Sequence, residues 1–238
     1  GKVLFQGQEV AFVIAEDRYI NADAIELVEV EYEELPVITD PFKALEPDAV
    51  VLREDLAGQT SGAHGERKHH NHIFLWEAGD KAATEQVIDT ADVVAEEMVY
   101  YHRTHPCPLE TCGTVASMDK VTGKLTVWGT FQAPHVVRTV ASLLSGIEEH
   151  NIRVVSPDIG GGFGNKVGVY PGYVCAIVAT IVTGKPVKWI EDRMDNLMAT
   201  AFARDYWMKG KIAATKDGKI TGLHCEVTAD HGAFDACA

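Results

Sequence analysis

The sequence lacks the cysteine patterns and hydrophobic runs that mark several large protein classes. Its five cysteines are odd in number, irregularly spaced and contain no C-x-x-C pair, which disfavours a disulfide framework and a zinc ribbon. No apolar run of about 18 residues and no charged, apolar leader is present, so neither a membrane span nor a secretory signal is visible. We therefore expect a protein of the reducing cytoplasm.

Positive charge is also scarce. Against 35 acidic residues stand 21 Lys and Arg, for a formal net charge of −14. Because nucleic-acid phosphates bind concentrated Lys and Arg, this balance argues against a nucleic-acid partner. A length of 238 residues with 46% hydrophobic content is enough for a buried core. The chain opens without Met and ends without a terminating motif, so we expect a piece of a longer polypeptide.

The first part of the chain predicts a small α/β unit. Alternating apolar residues at 10–15 and 28–33 predict two strands, and residues 21–27 predict a short helix between them. Pro36 should end the second strand, because proline has no N–H to donate to a sheet.

A change in composition marks the predicted domain boundary. From residue 58 to residue 71 the apolar pattern stops, and Gly, His and charged residues dominate. We therefore predict a first domain over 1–58, a linker over 59–71 and a larger α/β domain over 72–238.

Local signals predict alternating strands and helices in the larger domain. These signals are apolar periodicity, proline near a helix start and glycine just past a helix end. The predicted elements are strands at 72–77, 93–102 and 152–156, helices at 81–90, 134–144 and 173–182 ended by Gly146 and Gly184, and turns at Gly123 and Gly218.

A glycine-rich loop at residues 160–164 is the strongest candidate for ligand binding. It follows a predicted strand and precedes a predicted helix, the order found at phosphate-binding sites, and glycine lets backbone approach a ligand closely. The spacing matches neither G-x-G-x-x-G nor G-x-x-x-x-G-K-[ST]. Such a loop suits a large anionic cofactor, and a tight structural turn is the alternative.

Gln132 lies at a predicted strand end, just before a predicted helix. A side-chain amide in this position can donate to an oxo ligand and accept from water. The alternative is a loop glutamine that satisfies backbone groups.

Two segments rich in histidine raise the question of a metal site. The first contains His64, His69, His70 and His72. It shows no i,i+4 pairing on a helix, so we favour a solvated linker over a metal site. The second contains His102, His105, Cys107 and Cys112. Its prolines make it extended and stiff. We interpret it as a loop beside the active centre in which Glu110 fixes neighbouring backbone, with zinc binding as the weaker alternative.

Several segments together resemble one family. They are residues 1–11, 30–36, 106–111, 129–136 and 160–166. They resemble the large, molybdenum-binding subunit of aerobic carbon monoxide dehydrogenases, within the xanthine oxidase family, and the likeness covers essentially the whole chain. Residues 129–135 and 229–238 look most characteristic of the carbon monoxide branch.

This resemblance implies a fold, a cofactor and a set of site residues. The fold is α/β (α+β), with an N-terminal hammerhead-type domain followed by the first part of a molybdenum-cofactor-binding domain. The cofactor is molybdopterin cytosine dinucleotide, with a molybdenum linked through sulfide to copper. Gln132 would hydrogen-bond an oxygen ligand of molybdenum, and Gly161, Gly162, Phe163 and Gly164 would line the cofactor. Gln132 and Phe163 are thus the catalytic candidates, and no residue here is expected to ligate metal.

The resemblance also implies an activity and partners. Carbon monoxide would be oxidised with water to carbon dioxide. The two electrons would leave through an FAD-binding medium subunit and an iron–sulfur small subunit, in a dimer of heterotrimers. We expect a cytoplasmic complex whose partners could hold it at the inner face of the membrane.

The chain departs from the family pattern in one respect. It stops before the loop with the cysteine that holds copper and before the glutamate that acts as base, and none of its five cysteines matches that copper ligand. We therefore expect these residues alone to be inactive. Two alternatives stay open: a related molybdenum hydroxylase acting on aldehydes or N-heterocycles, and a non-catalytic assembly module.

Overall fold

The computed structural model describes residues 1–54, 61–62, 65–66 and 69–233. The described residues form two compact units. The first unit contains residues 1–33 and 105–203, and the second contains residues 34–104 and 204–233. His64, Cys237, residues 234–238 and part of the predicted linker lie outside the described residues. The predicted α/β class is confirmed, whereas the domain boundaries stay a prediction.

The first unit is built on a four-stranded sheet with strand order β6-β5-β4-β7. The strands are β4 (Gly113–Met118), β5 (Leu125–Gly129), β6 (Ile152–Val155) and β7 (Val187–Ile190). β4 pairs antiparallel with β5 and β7, and β5 pairs parallel with β6. The predicted hairpin is confirmed: Gly123 sits in the β4–β5 turn with φ of 71°.

Helices of the first unit begin and end where their capping residues predict. They are α1 (Arg18–Glu26), α3 (Pro134–Ser145), α4 (Pro171–Thr183) and α5 (Arg193–Ala199). Proline lies in the first turn of α3 and α4, and both helices end on left-handed glycines, Gly146 and Gly184. α1 starts earlier than predicted because the Asp17 carboxylate accepts hydrogen bonds from the amides of Tyr19 and Ile20.

The core of the first unit lies between the sheet and α3 and α4. It is formed by apolar side chains that alternate along the strands and by the inner faces of the helices. Its buried members include Ala116, Leu125, Val127, Phe131, Val137, Ala141, Ile152, Tyr170, Tyr173 and Ile177. This packing places the ends of β5 and β6, and the loops that follow them, on a rigid support.

The second unit is built on a three-stranded antiparallel sheet with order β3-β8-β9. Its strands are β3 (Val93–Tyr101), β8 (Tyr206–Ala214) and β9 (Ile220–Ala229), and helix α2 (Lys81–Asp89) packs against the sheet. The predicted turn between β8 and β9 is confirmed, with Gly218 at φ 88°. A short pair, β1 (Ser61–Gly62) and β2 (Gly65–Glu66), also belongs to this unit.

Three predicted strands are wrong. Residues 10–15 and 28–33 join no sheet among the described residues, and within 72–77 a single bridge residue, Leu75, is found. Val10 and Ile14 are each half exposed. Alternating apolar residues favour an extended chain, but a strand exists only where a neighbour supplies hydrogen bonds. In the described part of the chain, no helix is long and apolar enough to cross a bilayer.

Candidate functional site

The two loops singled out from the sequence meet in the structure. Gln132 lies between β5 and α3, and residues 160–166 lie between β6 and α4. Because β5 and β6 are parallel, their carboxyl ends share one edge of the sheet, where ligand sites of open α/β sheets form. The backbone N–H of Gln132 donates to the backbone carbonyl oxygen of Lys166 at 2.9 Å.

The side chain of Gln132 has a defined orientation. Its Oε1 accepts hydrogen bonds from the backbone N–H groups of Gly164 and Lys166, both at 3.0 Å. Two donors on one atom identify that atom as the oxygen. Within the described residues, Nε2 makes no hydrogen bond. The amide is therefore fixed by its oxygen and offers its two N–H donors to whatever lies beside the loop.

The glycines of the loop are required by close approach and by backbone conformation. A Cβ on Gly160 would lie 2.6 Å from Glu110 Cβ, and one on Gly162 would lie 2.6 Å from Gln132 Oε1. Gly161 and Gly164 have φ of 95° and 87°, a region that L side chains rarely adopt. Neighbouring side chains thus pack directly onto the loop backbone at Gly160 and Gly162, whereas a Cβ on Gly164 would meet nothing within 4 Å.

Phe163 is the exception within the glycine loop. It has a positive φ of 52°, which is uncommon for an aromatic residue and signals a local constraint. Its ring packs against Gly161 but is 73% exposed. The loop therefore presents one aromatic face to solvent next to the backbone of Gly161 and Gly164.

Glu110 fixes backbone, as predicted, but the backbone it fixes is the start of the glycine loop, 50 residues away. Its Oε2 accepts from the Gly160 N–H at 2.7 Å, and its own N–H donates to the Gly160 carbonyl at 3.2 Å. The same Oε2 accepts from Lys166 Nζ at 2.8 Å. Partial burial alone would raise the pKa of Glu110, but hydrogen bonds from Lys166 and Gly160 and the charge of Lys166 outweigh it, and the pKa is lowered.

An arginine holds in place the segment that contains Pro106 and Pro108. Arg193, on α5, donates to the carbonyl oxygens of Pro108 and Leu109 at 2.6 and 2.8 Å. This contact was not predicted, because 84 residues separate Arg193 from Leu109. The backbone before Glu110 is thereby attached to α5.

Among the described residues, the structure does not bring the histidines and cysteines of these segments together as a metal site. His105 Nε2 lies 2.9 Å from the Asn196 carbonyl and 3.0 Å from Thr200 Oγ1, while Cys107 is exposed. Cys112 is buried, and burial raises the pKa of its thiol to about 12. No group of three or more His, Cys, Asp or Glu side chains that could hold a metal ion occurs in the described residues.

His69 and His70 have structural contacts instead. Their Nε2 atoms lie 3.0 Å from the carbonyl oxygens of Glu46 and Ala49 respectively. Their rings are adjacent, with centroids 3.7 Å apart. These contacts attach the second half of the predicted linker to residues 46–49.

A buried polar network behind the glycine loop was not predicted. Asn165 Nδ2 donates to Thr200 Oγ1 at 2.8 Å, and Asn196 Nδ2 donates to Glu191 Oε1 at 2.5 Å. Tyr170 donates its hydroxyl to the Asn165 carbonyl. Each of these residues is buried. The sequence analysis did not find this network, because the contact that joins its two halves, Asn165 with Thr200, spans 35 residues.

Comparison with protein families identifies two regions. Residues 64–238 match the molybdopterin cofactor-binding domain, and residues 1–36 match the a/b hammerhead domain of aldehyde oxidase and xanthine dehydrogenase. The predicted order, a hammerhead-type domain followed by part of a molybdenum-cofactor domain, is confirmed.

Individual relatives give the same result. The chain is 69% identical over 237 residues to the carbon monoxide dehydrogenase large chain of Afipia carboxidovorans, covering 100% of this chain and 29% of the relative. It is 32% identical to the nicotine 6-hydroxylase large subunit of Paenarthrobacter nicotinovorans, covering 98% of this chain and 27% of that subunit. These matches confirm the resemblance inferred from the sequence.

A solved structure supports the comparison. The crystal structure of a Cu,Mo-CO dehydrogenase in its carbon monoxide reduced state is 68% identical and superposes with a TM-score of 0.90, covering 98% of this chain and 29% of that chain. The chain therefore spans about 29% of the length of its carbon monoxide dehydrogenase relatives. Because the cofactor-domain match extends over residues 64–238, the chain belongs to the molybdopterin cofactor-binding domain family.

Proposed function

We propose that this chain is part of the catalytic large subunit of an aerobic carbon monoxide dehydrogenase. The whole enzyme would oxidise carbon monoxide with water to carbon dioxide, two electrons and two protons. The observation that carries this proposal is the 69% identity over the full chain to a carbon monoxide dehydrogenase large chain, against 32% to a hydroxylase subunit.

The residues of the candidate site fit a molybdopterin group. A Cβ on Gly164 would meet nothing within 4 Å, so a ligand can approach the loop backbone there. Gln132 is exposed, and its N–H donors have no partner among the described residues. We propose that the group is molybdopterin cytosine dinucleotide, which when bound supplies a molybdenum and copper centre that accepts the two electrons.

Each site residue then has a proposed role. Gln132 Nε2 would donate a hydrogen bond to an oxygen ligand of molybdenum and so orient the metal centre. The backbone of Gly161, Gly162 and Gly164 would line the cofactor, and the exposed ring of Phe163 would form an apolar wall that excludes water. Fixed donors of this kind need no reorganisation when charge develops, which is why they contribute strongly to catalysis.

The copper ligand and the catalytic base are proposed to lie outside these residues. Of the described cysteines, Cys112 is buried with a raised pKa, and burial also raises the pKa of Cys175. A metal binds the thiolate, so both are poor ligands in this state. We also propose an FAD-binding medium subunit and an iron–sulfur small subunit as partners, in a cytoplasmic dimer of heterotrimers. The hammerhead and cofactor domains are proposed to meet at residues 59–71.

A related molybdenum hydroxylase is the competing function. The glycine and glutamine geometry would serve an aldehyde or N-heterocycle hydroxylase equally well, and a nicotine 6-hydroxylase subunit is similar over 98% of this chain. A non-catalytic assembly module is disfavoured because Gln132 keeps its donors free and oriented, which docking does not require.

Elemental analysis of the complete large subunit, purified with its partners, tests the proposal. We expect molybdenum and copper near one atom each per large subunit, together with carbon monoxide oxidation. Molybdenum without copper, and no carbon monoxide activity after addition of copper and sulfide, would establish the hydroxylase instead. Absence of both metals from a folded, assembled complex would favour the assembly module.

A further inference from the structure

We propose that Glu110 and Lys166 form a positioning clamp that joins the two ends of the glycine loop and sets the orientation of Gln132. This inference rests on the proposed function, because it assigns the clamp a role in retaining the cofactor that the loop would bind. Neither residue is proposed to touch the reacting atoms.

One carboxylate oxygen joins both ends of the loop. Glu110 Oε2 lies 2.7 Å from the Gly160 amide N and 2.8 Å from Lys166 Nζ. The Glu110 amide also donates to the Gly160 carbonyl, so Gly160 is held through both its N–H and its C=O. The first and last residues of the segment 160–166 are therefore both hydrogen-bonded to the side chain of Glu110.

Lys166 connects this segment to Gln132 through its backbone. Its backbone N–H donates to Gln132 Oε1 at 3.0 Å, and its backbone C=O accepts from the backbone N–H of Gln132 at 2.9 Å. The side chain of Lys166 thus contacts Glu110, while its main chain contacts Gln132. Displacement of Lys166 would move both hydrogen bonds that align the Gln132 side chain and backbone.

Burial makes the ion pair obligatory for Lys166. Its side chain is 0% exposed, whereas Glu110 is 41% exposed. A buried ammonium without a partner is strongly unfavourable, so removal of the Glu110 charge should displace Lys166 or open a path for water. The pair is also neutral overall. Glu110 can consequently stand beside a loop for an anionic ligand without presenting an uncompensated negative charge.

A matched surface pair provides the control. Glu149 Oε2 lies 3.1 Å from Arg138 Nε, and the Glu149 side chain is 42% exposed. Glu149 therefore matches Glu110 in the exposure of its side chain and in having one cationic partner. The two pairs differ in that Arg138, on α3, is 38% exposed, whereas Lys166 is 0% exposed. Glu149→Gln should report the general effect of losing an exposed carboxylate.

The experiment uses the full-length large subunit assembled with its partners. Amide hydrogen exchange would be followed in the peptide that covers residues 158–168, together with the rate of molybdenum and cytidine nucleotide release during dialysis. We expect Glu110→Gln to accelerate loop exchange and cofactor release by about tenfold or more, as for a lost charge-assisted hydrogen bond. Glu110→Asp should partly restore both rates, and Glu149→Gln should match wild type.

The readouts separate the clamp from the proposed function. Wild-type exchange rates in the loop of Glu110→Gln would overturn the clamp, whatever the metal content. A lowered melting temperature with uniformly faster exchange would also overturn it, since it would indicate a merely structural role. Wild-type protein without molybdenum or cytidine nucleotide would overturn the proposed function while leaving the exchange comparison intact. Glu110→Gln is the deciding variant because the Glu110 side chain is 41% exposed, so its replacement should not prevent folding.

Discussion

At the residue scale, Gln132 combines two tasks in one side chain. Its oxygen is held by the N–H groups of Gly164 and Lys166, and its nitrogen is left to donate elsewhere. Gln132 is exposed, so its N–H donors face the solvent side of the loop. The side-chain amide is therefore well suited to act as a hydrogen-bond donor of fixed orientation.

Replacement of Gln132 should slow the full-length enzyme without unfolding it. We expect Gln132→Ala to lower turnover by about 100-fold, because a donor to an oxygen of the metal centre is lost. Gln132→Glu keeps an acceptor for the loop but removes the N–H donors, so it should be similarly slow. The measurement is kcat at matched molybdenum content.

Gln8→Ala is the control for the glutamine variants. Gln8 Oε1 also accepts from a backbone amide, that of Leu4, but it lies in a different loop. This variant should keep wild-type turnover. Unchanged turnover of Gln132→Ala with full metal loading would remove Gln132 from the catalytic site.

Two neighbouring tyrosines of the core should respond oppositely to loss of their hydroxyl groups. Tyr170 donates to the Asn165 carbonyl and accepts from the Ala201 amide, so Tyr170→Phe should cost about 1–3 kcal/mol. Tyr173 is fully buried, and its hydroxyl lies beside the side chains of Cys112 and Thr130 without a hydrogen bond of normal geometry to any described residue. Tyr173→Phe should therefore be neutral or stabilising, because a polar group without a well-formed hydrogen bond leaves the core.

Hydrogen exchange of α4 amides in the assembled enzyme would measure the difference between the tyrosine variants. Both variants remove one oxygen from a phenol in the same aromatic cluster, so each serves as the control for the other. Destabilisation of Tyr173→Phe equal to that of Tyr170→Phe would mean that a partner, such as a buried water, satisfies the Tyr173 hydroxyl.

At the scale of elements, an ionic cluster joins the ends of the strands of the second unit. Arg103 follows β3, Asp205 precedes β8 and Asp230 follows β9. Arg103 pairs with Asp205 at 2.8 Å and with Asp230 at 3.1 Å, and Tyr100 donates its hydroxyl to Asp205 at 2.7 Å. Asp205 also has a positive φ of 74°, which aspartate tolerates better than most residues. The ion pairs and the hydrogen bond from Tyr100 therefore hold the strand ends together and hold Asp205 in its unusual backbone conformation.

This cluster should make the sheet sensitive to acid. Partial burial alone would raise the pKa of Asp205, but hydrogen bonds from Tyr100 and Arg103 and the charges of Arg103 and His102 outweigh it, and the pKa is lowered below 3.8. A carboxyl group with a lowered pKa in the folded state stabilises the fold at pH values above its ordinary pKa. This stability is lost as the pH falls through the lowered pKa. Asp205→Asn should thus cost about 1–2 kcal/mol at pH 7, since Arg103 is partly solvated.

The pH dependence of the Asp205→Asn effect is the decisive measurement. The difference from wild type in the exchange of β3 and β8 amides should shrink below about pH 4. Asp89→Asn, at the exposed end of α2, should show no such difference. A cost for Asp205→Asn that is constant from pH 7 down to pH 3 would show that the charge of Asp205 is not the stabilising feature.

Elements with complete local signals were predictable from the sequence. α3 was predicted from its proline, apolar spacing and Gly146, and α4 from a run that is apolar all round and ended by Gly184, each within a few residues. Residues 10–15 and 28–33 carry the pattern of strands, but their pairing depends on neighbours that the pattern does not specify. The same reason explains the clamp: Glu110 and Lys166 are 56 residues apart, and nothing near either residue indicates the other.

At the scale of the whole molecule, the chain spans about 29% of the length of its carbon monoxide dehydrogenase relatives. We expect a polypeptide of these 238 residues, expressed alone, to show no carbon monoxide oxidation, because catalysis by a metal and fixed dipoles needs the complete set of ligands.

Activity assays of the isolated polypeptide, with the assembled full-length enzyme in parallel, would test this expectation. Molybdenum analysis of both samples separates lost cofactor from lost chemistry. Carbon monoxide oxidation by the isolated 238 residues would show that the copper ligand and the base lie within this sequence after all.

The contact between Gly162 and Gln132 has a consequence for how the site can change during evolution. Because a methyl group at position 162 would lie 2.6 Å from Gln132 Oε1, position 162 cannot gain a side chain while Gln132 keeps its present orientation. A lineage that first replaced the glutamine with a smaller residue would become free to lose the glycine, whereas the reverse order would pass through an intermediate with a displaced glutamine. A homologue that has lost the glycine should therefore also have lost or reoriented the glutamine.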